Sequence, residues 1–321
     1  MKWSYSMSRI FKRCPRQWYF SQHVSNINSK DPFRNEAFYA KQLKSIYAWR
    51  GGVVDTVIEQ KIVPALNAKN LPSLERILSY SMDLLERQLE FGVKQKYKET
   101  NLTKSNIGAD YCAFYDLEYN GCLDDKQVKQ AKNDVKVSLE NLMNSELIKK
   151  IVQDNQYVIA QRSISFPLED ITVNCTPDMI VFFEEKPPLI IDWKVHAFAI
   201  TDYWLQLGIY SLALSKSNIH RDFPDEIEKF IRDPTQIQII EYQLLKNTVR
   251  EHKISNENVG DILDYIYQTG SDMLRFINGR RVSQTNINDI PTTLSPERCG
   301  RCNFKKMCWT ERPVQKSLFE V

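Results

Sequence analysis

The sequence has no long hydrophobic run, no internal repeat, no low-complexity segment and no strong excess of one charge. No apolar run reaches the length of about 18 residues that a membrane span requires, so we expect no membrane-spanning segment. The opening residues MKWSYSMSRIFKRC lack the apolar region of a signal peptide, which favours a cytoplasmic protein. A phosphate loop of the form G-x-x-x-x-G-K-S/T is also missing, so the sequence indicates no ATP-driven motor.

The charge balance permits a nucleic-acid partner but does not require one. The 321 residues carry 43 Lys and Arg against 40 Asp and Glu, for a net charge of +3. Any electrostatic attraction for nucleic acid must therefore come from a local groove. With 42% hydrophobic residues the chain is long enough for a sizeable core, and its length suggests roughly two domains.

Helical periodicity dominates the first half of the chain. Residues 6–22 predict a short helix capped by Ser6 or Ser8, and a second helix is predicted around 39–66. Residues 71–155 alternate helical patterns with few breakers, such as SLERILSYSMDLLERQLEFGV. We interpret this stretch as an inserted helical lobe.

The pattern changes at residue 157. Three short β-branched and aromatic segments, YVIAQRSISFPL, ITVNCTPDMIVFF and PLIIDWKV, predict strands separated by turns. A helix is predicted at 202–216, a strand at 235–245 and a last helix at 257–277. This order predicts an α/β (α+β) protein with a mixed sheet flanked by helices. We expect four parts: an N-terminal part at 1–66, the helical insertion at 67–156, a core at 157–255 and a C-terminal part at 256–321.

Four of the seven cysteines lie at the two ends of the chain. Cys14 stands in RCPRQWYF, and Cys299, Cys302 and Cys308 form a C-x2-C-x5-C pattern that begins 285 residues later. In a cytoplasmic protein such cysteines are more often metal ligands or buried thiols than disulfides. Four thiolates suit either one Zn²⁺ or a [4Fe–4S] cluster, and the spacing leaves both open. If they hold one metal centre, the two ends of the chain must meet.

The segment from Pro177 to Lys194 predicts a second centre, built on a hairpin. Asp192 and Lys194 project from the same face of a strand, because side chains alternate along it. A turn near Lys186 would place Asp178 across from Lys194 and diagonal to Asp192, with the Cα atoms of the two acids about 7–8 Å apart. A one-residue slip would break this register. The alternative for D-x-K is an ordinary surface salt bridge on a hairpin.

These residue types suit phosphodiester cleavage. Mg²⁺ and Mn²⁺ prefer oxygen ligands, here Asp178, Asp192 and the backbone carbonyl of Trp193. Such a cation neutralises charge and lowers the pKa of an attacking water. Lys194 would hold or help deprotonate that water and stabilise the developing negative charge.

In this motif the sequence resembles the RecB-like branch of the PD-(D/E)xK nuclease superfamily. The family motif is an Asp, a short hairpin and (D/E)-x-K, which Asp178, Asp192 and Lys194 match. The resemblance implies a restriction-endonuclease-like mixed sheet core. It also implies a helix with a Gly and a following His that completes the metal site, and WRGGVVDTV has Asp55 in that place. Asp55 would then be a third carboxylate ligand that favours Mg²⁺ or Mn²⁺ over Zn²⁺, unless it is merely an exposed helix residue.

Two further features correspond to this family. Its Glu on the first core strand is replaced here by Gln161, which could orient a water but is a poor ligand. Gln206 and Tyr210 are four residues apart on one helix face. They match the family's Q-x-x-x-Y, which packs over the active site and can touch the DNA backbone. The alternative is an ordinary amphipathic helix.

The N-terminal segment SMSRIFKRCPRQWYF is similar to that of the iron–sulfur nucleases, which include the AddB nuclease domain and the exonucleases of CRISPR adaptation. This resemblance favours a [4Fe–4S] cluster over Zn²⁺, with a structural role. Its implied ligands are Cys14, Cys299, Cys302 and Cys308.

Such a centre would also join two basic clusters into one positive patch for DNA. Trp18, Tyr19 and Trp309 could stack on unpaired bases there, although shielding of the cluster is the interpretation that we favour. The basic residues are Lys12, Arg13 and Arg16 around the first cysteine, and Arg298, Arg301, Lys305 and Lys306 around the others.

We therefore expect a metal-dependent deoxyribonuclease, either an exonuclease or an enzyme directed at single strands or ends. The expected settings are DNA repair, CRISPR adaptation or phage defence. The expected cofactors are Mg²⁺ or Mn²⁺ and the cluster, and the expected partners are DNA and a helicase or another defence or repair subunit.

One alternative is a catalytically silent DNA-binding or scaffold subunit of a nuclease–helicase complex, which the missing His and Glu suggest. Another is a redox-responsive regulator. Retention of Asp178, Asp192 and Lys194 argues for an enzyme.

Overall fold

Two β-sheets form the core of the fold, and all of their described strands except the first lie between residues 157 and 252. The computed structural model describes residues 1–99, 102–195, 204–218, 220–224 and 227–310. Its strands are β1 (Lys2–Trp3), β2 (Tyr157–Ala160), β3 (Ile164–Leu168), β4 (Ile171–Cys175), β5 (Met179–Phe182), β6 (Leu189–Lys194), β7 (Gln238–Gln243) and β8 (Thr248–His252).

The larger sheet has five strands in the order β2-β5-β6-β7-β8. Strands β6 and β7 run parallel, whereas the other neighbouring pairs are antiparallel. A smaller sheet has the order β1-β4-β3. The predicted mixed sheet is thus confirmed. Strand β8 was not predicted, because its side chains are mostly exposed and give no buried apolar face.

Helices surround these sheets. The helix predicted at 257–277 begins one residue earlier, at Asn256, and ends at Ile277 as predicted. The helix predicted at 202–216 begins at Trp204, and 202 and 203 lie outside the described residues. No helix in the described ranges is long and apolar enough to cross a membrane. The α-helices are α1 (Tyr5–Arg13), α2 (Pro15–Tyr19), α3 (Pro32–Gln42), α4 (Ile46–Val57), α5 (Val63–Asn67), α6 (Leu74–Val93), α7 (Lys104–Ile107), α8 (Tyr115–Asn120), α9 (Asp125–Asn144), α10 (Glu146–Asp154), α11 (Trp204–Lys216), α12 (Glu228–Ile231), α13 (Asn256–Ile277), α14 (Pro296–Gly300) and α15 (Lys305–Thr310).

The helix predicted at 6–22 is divided at Cys14. A proline disfavours helical dihedrals in the residue before it, and Cys14 before Pro15 is extended, with φ −159° and ψ 100°. Cys14 therefore ends α1 and begins α2. The N-cap of α1 is Ser4, whose hydroxyl accepts a hydrogen bond from the Met7 N–H at 3.3 Å, so the prediction of Ser6 or Ser8 was wrong.

The helix predicted around 39–66 is also interrupted. Helix α3 ends at Gln42, and α4 begins after Ser45, whose hydroxyl accepts from the Ala48 N–H at 3.2 Å. A π-helical turn at Ile58–Ile62 then precedes α5, which carries Pro64 in its first turn. The proline has no N–H to donate, and a wider turn upstream of it accommodates the missing bond.

Both faces of the larger sheet are covered by helices. On one face α4, α6 and α9 pack with sheet residues such as Val181 and Ile191 in one hydrophobic cluster. On the other face α11 and α13 pack with Ile190 and Ile239. The helices of 67–156 therefore share a core with the sheet, while the boundaries at 66 and 156 stay predictions. Because side chains alternate along β6, Asp192 points to the α11 face.

Candidate active site and cysteine centre

The β5–β6 hairpin brings two predicted acids together. Met179 pairs with Ile191 and Val181 with Leu189, so the ladder continued by one residue places Asp178 opposite Asp192. The predicted pairing of Asp178 with Lys194 was therefore wrong. The β5–β6 turn is centred at residue 185 and not at Lys186, and this difference of one residue shifts the register by two residues. A two-residue shift leaves every side chain on its predicted face.

Asp192 is the most enclosed member of this group, with 1% of its surface exposed. The ammonium group of Lys194 forms an ion pair with its carboxylate. From α11, Gln206 Nε2 donates to Asp192 Oδ1 at 3.2 Å and lies 2.6 Å from Tyr210 Oη. Burial, together with the negative charges of Asp192 and Asp178, raises the pKa of Tyr210 well above its ordinary value. Tyr210 is therefore a neutral phenol at physiological pH.

Asp178 is partly buried and accepts two hydrogen bonds. The backbone N–H of Trp193 donates to Oδ2 at 3.1 Å, and Gln161 Nε2 donates to Oδ1 at 3.2 Å. Gln161 has a φ of 50°, a left-handed conformation that is uncommon for a residue with a side chain. Burial, then the charges of Asp192 and Asp55, raise the pKa of Asp178 well above its ordinary value, while Lys194 acts in the opposite direction.

Asp55 reaches the site from α4, on the other side of the sheet. Its Oδ1 accepts a hydrogen bond of 2.7 Å from the indole Nε1 of Trp193. Burial raises the pKa of Asp55, whereas this hydrogen bond and the charge of Lys194 lower it. Asp55 is thus a partly buried neighbour of the site rather than an exposed helix residue, and its role as a metal ligand stays a prediction.

The donor set of this group suits a hard divalent cation. Carboxylate oxygens from Asp178 and Asp192, with Asp55 nearby, carry more negative charge than Lys194 neutralises. In the described residues, no three His, Cys, Asp or Glu side chains converge as metal ligands. The carboxylates instead hold protein donors, each of which a cation would have to replace or share.

One consequence can be tested on the metal-free protein. A carboxyl whose pKa rises on folding costs no stability below its ordinary pKa, and the cost grows as the pH rises from there towards the raised value. At neutral pH with a chelator, Asp178→Asn should therefore raise Tm, by about 2 °C for roughly 1 kcal/mol. Thermal unfolding of this variant is compared with that of Asp261→Asn, an exposed position on α13 that should not change Tm. A lower Tm for Asp178→Asn would contradict the electrostatic account.

Two buried polar residues on β7 were missed by our sequence reasoning. Glu241 and Gln243 are 1% and 0% exposed, and they pair in register with Asp192 and Lys194. The available signal was the segment TQIQIIEYQLL, where a Glu and a Gln stand two residues apart in an otherwise apolar strand. The apolar pattern of that segment predicts a strand but gives no indication that these two side chains adjoin the site.

The four predicted cysteine ligands line one cavity, between the start of α2 and the segment from α14 to α15. Two backbone N–H groups point at sulfur, from Gln17 to Cys14 Sγ and from Phe304 to Cys302 Sγ, each at 3.4 Å. The guanidinium of Arg16 donates to Cys308 Sγ at 3.6 Å.

Burial raises the pKa of the Cys302 thiol to about 12, and neighbouring Cys14, Cys308 and Cys299 add to the shift. Four sulfurs that line one cavity, lie close enough together to raise the pKa of Cys302 and are supplied with N–H donors fit a metal centre with four thiolates. The described residues do not, however, show three cysteine sulfurs in metal-ligand geometry.

Helix α8 and the N-terminal segment hold the cysteine-rich segment in place. The hydroxyl of Tyr115 donates to the Gly300 carbonyl at 2.6 Å, and the ammonium group of Lys305 lies 4.2 Å from the ring centre of Tyr119. Arg16 donates to the Ile290 carbonyl through Nε at 3.0 Å and through Nη2 at 2.8 Å. The segments that carry Cys14 and the three later cysteines therefore lie together, while a metal centre that joins them stays a prediction.

A basic cleft lies beside this cavity and has a volume of about 900 Å³. Not all of the predicted basic residues contribute to it, because Arg16 is buried and Lys305 lies over tyrosine rings. Trp18 and Tyr19 are each 1% exposed, which excludes them as stacking platforms and agrees with a shielding role. The side chain of Trp309 lies outside the described residues. The charged residues of the cleft are Arg9, Lys12 and Arg13 on α1, Arg298 and Arg301 in and after α14, and the single acid Glu297.

Comparison with known families agrees with this arrangement. A model of the PD-(D/E)XK nuclease superfamily matches residues 2–309, and the chain therefore belongs to this superfamily of phosphodiester-cleaving enzymes. The superfamily predicted from Asp178, Asp192 and Lys194 is confirmed. Its RecB-like iron–sulfur branch stays a prediction.

Two crystal structures are similar over most of the chain. A predicted exonuclease from Eubacterium rectale is 11% identical with a TM-score of 0.35, and the match covers 90% of this chain and 94% of that one. The protein SSO0001 is 10% identical with a TM-score of 0.30, and the match covers 73% of this chain and 97% of that one. At these TM-scores neither likeness supports an inference. No curated protein matches the chain.

Proposed function

We propose that this protein is a metal-dependent deoxyribonuclease that hydrolyses phosphodiester bonds with Asp178, Asp192 and Lys194. The observation that carries the proposal is the buried carboxylate of Asp192, paired with Lys194 and placed opposite Asp178 in the β5–β6 ladder. Burying such a group of charges is costly without a task. Because the chain belongs to a nuclease superfamily, we assign these charges to metal binding and phosphodiester hydrolysis.

Each residue has a role in this chemistry. Mg²⁺ or Mn²⁺ held by Asp178, Asp192 and the Trp193 carbonyl would neutralise phosphate charge and lower the pKa of an attacking water. Lys194 would orient that water and stabilise negative charge on the phosphate. Gln206 fixes the orientation of Asp192 through its hydrogen bond to Oδ1.

Asp55 and Tyr210 support this group from two sides. Asp55 holds the Trp193 indole and so orients the strand that carries Asp192 and Lys194. A third carboxylate near the site, in place of a histidine, favours a hard cation. Tyr210 stays a neutral hydroxyl close to the acids, where it can donate to a phosphate oxygen.

Single-stranded DNA or DNA with free ends is the proposed substrate, and repair, CRISPR adaptation or phage defence is the proposed setting. The resemblance of the N-terminal segment to iron–sulfur nucleases supports this choice, and it also supports a helicase or another defence or repair subunit as a partner. The basic cleft supports contact with a nucleic-acid backbone, because its five cationic side chains face one acid.

A cleavage assay tests the function. The protein is incubated with labelled single-stranded, duplex and circular DNA, with EDTA, Mg²⁺, Mn²⁺, Ca²⁺ or Zn²⁺. We expect products only with Mg²⁺ or Mn²⁺ and only from DNA with ends. Cleavage of circles would instead identify an endonuclease. Binding without cleavage in every metal would favour the silent scaffold.

The cleft gives a separate prediction. Arg298→Glu with Arg301→Glu should weaken DNA binding by about 10–100-fold and flatten its dependence on salt, because each lost phosphate contact removes about one unit of the slope. Binding is measured by fluorescence anisotropy in Ca²⁺ over a range of salt. The control, Lys129→Glu with Lys150→Glu, changes the net charge equally at exposed positions on α9 and α10. Equal weakening by both pairs would mean that net charge, and not this cleft, attracts DNA.

We also propose that Cys14, Cys299, Cys302 and Cys308 hold a [4Fe–4S] cluster with a structural role. Their common cavity and the N–H donors aimed at the sulfurs support a four-thiolate centre. The resemblance of the N-terminal segment favours iron–sulfur over Zn²⁺. Metal analysis of anaerobically purified protein distinguishes the two, because an iron–sulfur protein is brown and a zinc protein is colourless.

A further inference from the structure

Two buried residues on β7 lie beside the proposed catalytic pair. In the parallel β6–β7 ladder, Asp192 pairs with Glu241 and Lys194 with Gln243. Paired residues of neighbouring strands carry their side chains on the same face, about 5 Å apart at Cα. Glu241 and Gln243 are 1% and 0% exposed, so both are isolated from bulk water.

A hydrogen bond fixes the orientation of the Gln243 amide. Gln243 Nε2 donates to Glu241 Oε1 at 2.8 Å. An ionised carboxylate can only accept, so the amide nitrogen of Gln243 faces Glu241 and the amide oxygen is turned away from it. Within the described residues, this buried oxygen has no hydrogen-bond partner. A buried acceptor without a donor is costly, which indicates that another state of the site supplies one.

A histidine from β8 lies next to Glu241. His252 Nε2 is 3.6 Å from Glu241 Oε2, which is beyond hydrogen-bond distance, while Oε1 accepts from the Gln243 amide. The orientation of the Gln243 amide therefore depends on the carboxylate of Glu241.

The ion pair of Lys194 with Asp192 would change during the proposed reaction. The ammonium group is paired with the carboxylate of Asp192, which is also a proposed ligand of the divalent cation. When those oxygens bind a cation, this ion pair is weakened and the ammonium is repelled by a like charge. Gln243, which pairs with Lys194 in the β6–β7 ladder, has a buried amide oxygen without a hydrogen-bond donor among the described residues, and this oxygen can accept from the ammonium group.

We propose that Glu241 and Gln243 are positioning residues for Lys194. Gln243 Oε1 receives the ammonium group when Asp192 binds the cation, and Glu241 keeps the amide turned for that contact. The pair thereby lets cation and lysine occupy the site together. This inference rests on the proposed function, since it assigns roles around the same Asp192 and Lys194.

Cation affinity tests the inference without relying on turnover. In Gln243→Met, which keeps the length of the side chain but removes its acceptor, Lys194 should remain on Asp192 and compete with the cation. We expect the Kd for Mn²⁺, measured by electron paramagnetic resonance, to rise about three- to tenfold, the scale of one hydrogen bond. In a Lys194→Met background the same substitution should change the Kd by less than about twofold. An equal rise in both backgrounds would overturn the proposal.

Two further variants separate positioning from folding. Gln238→Met is a matched control, at an exposed position of the same strand, and should leave Mn²⁺ affinity and cleavage unchanged. Gln243→Asn keeps the amide but is too short to span both partners, so it should reproduce the affinity loss if Gln243→Met fails to fold. Wild-type affinity in Gln243→Asn would count against the proposal.

Cleavage data distinguish a failure of this inference from a failure of the proposed function. We expect Gln243→Met to lower kcat about tenfold or more, with KM for DNA changed by less than about twofold, because the contact belongs to catalysis and not to DNA binding. An active wild type with an equally active Gln243→Met overturns the positioning role alone. A wild type that cleaves no DNA in any metal overturns the proposed function.

Discussion

Asp192→Asn should lower cleavage of DNA by about 10³-fold or more, with little change in fold. The substitution keeps the shape of the side chain and an oxygen that can accept from Gln206. It removes the charge that pairs with Lys194 and would bind the cation. Product formation in Mg²⁺ and Mn²⁺ is measured by single-turnover assay, together with the circular dichroism spectrum and metal content of each protein.

A matched control keeps this result interpretable. Asp261→Asn makes the same chemical change at an exposed position on α13 and should be as active as wild type. If Asp192→Asn and wild type cleave equally across metals and substrates, the assignment of the active site is wrong. If activity instead follows the oxidation state of a bound cluster, and does so reversibly, the redox-responsive regulator is the better interpretation.

Cys302→Ser should remove the metal centre and strongly destabilise the protein. A centre that joins Cys14 to Cys299 closes a loop of 285 residues. The chain-entropy relation derived for disulfides gives about 5–6 kcal/mol for such a loop, comparable with the whole stability of many domains. Iron, sulfide and zinc contents are measured after anaerobic purification, and stability is measured by urea unfolding monitored by tryptophan fluorescence.

Cys122→Ser is the control for this experiment, because Cys122 is an exposed cysteine away from the cavity. It should keep the metal content and the urea midpoint of wild type. A Cys302→Ser protein with wild-type metal content and stability would exclude the four-cysteine centre. Loss of DNA cleavage by Cys302→Ser, with folding also lost, would fit a structural cluster and would not place that residue in the catalytic site.

The grouping of the candidate site residues could be predicted because it depends on short spacings in the sequence. Asp192 and Lys194 share a face since they are two apart on a strand, and Gln206 and Tyr210 share a face since they are four apart on a helix. Residues at these spacings share a face even when the predicted ends of the strand or helix are wrong by a few residues. The β5–β6 register was wrong by two residues and still left the acids on one face, because strand side chains repeat every two residues.

Other features depended on contacts between distant segments and could not be derived in this way. The pairing of β6 with β7 brings Glu241 and Gln243 beside Asp192 and Lys194, across nearly 50 residues of chain. The N-cap of α1 is Ser4 and neither Ser6 nor Ser8, because capping depends on the backbone dihedrals of the residue before the helix, which the sequence does not reveal. The helical segment of 67–156 was predicted to be a separate lobe, because the apolar face of a helix does not show which element it packs against. In the fold this segment packs on the sheet.

Sequence alone therefore determined which candidate groups this protein carries: two acids and a lysine around a hairpin, a Q-x-x-x-Y helix, and four cysteines towards the two ends of the chain. Most of these patterns involve residues close together in the sequence, and the regular backbone of a strand or helix determines the directions of their side chains. Packing set the register of the hairpin, the burial of Trp18 and Tyr19, and the hydrogen bond from Gln243 to Glu241. These arise from long-range pairing of strands and helices, which many sequence patterns permit equally and which the hydrophobic core selects.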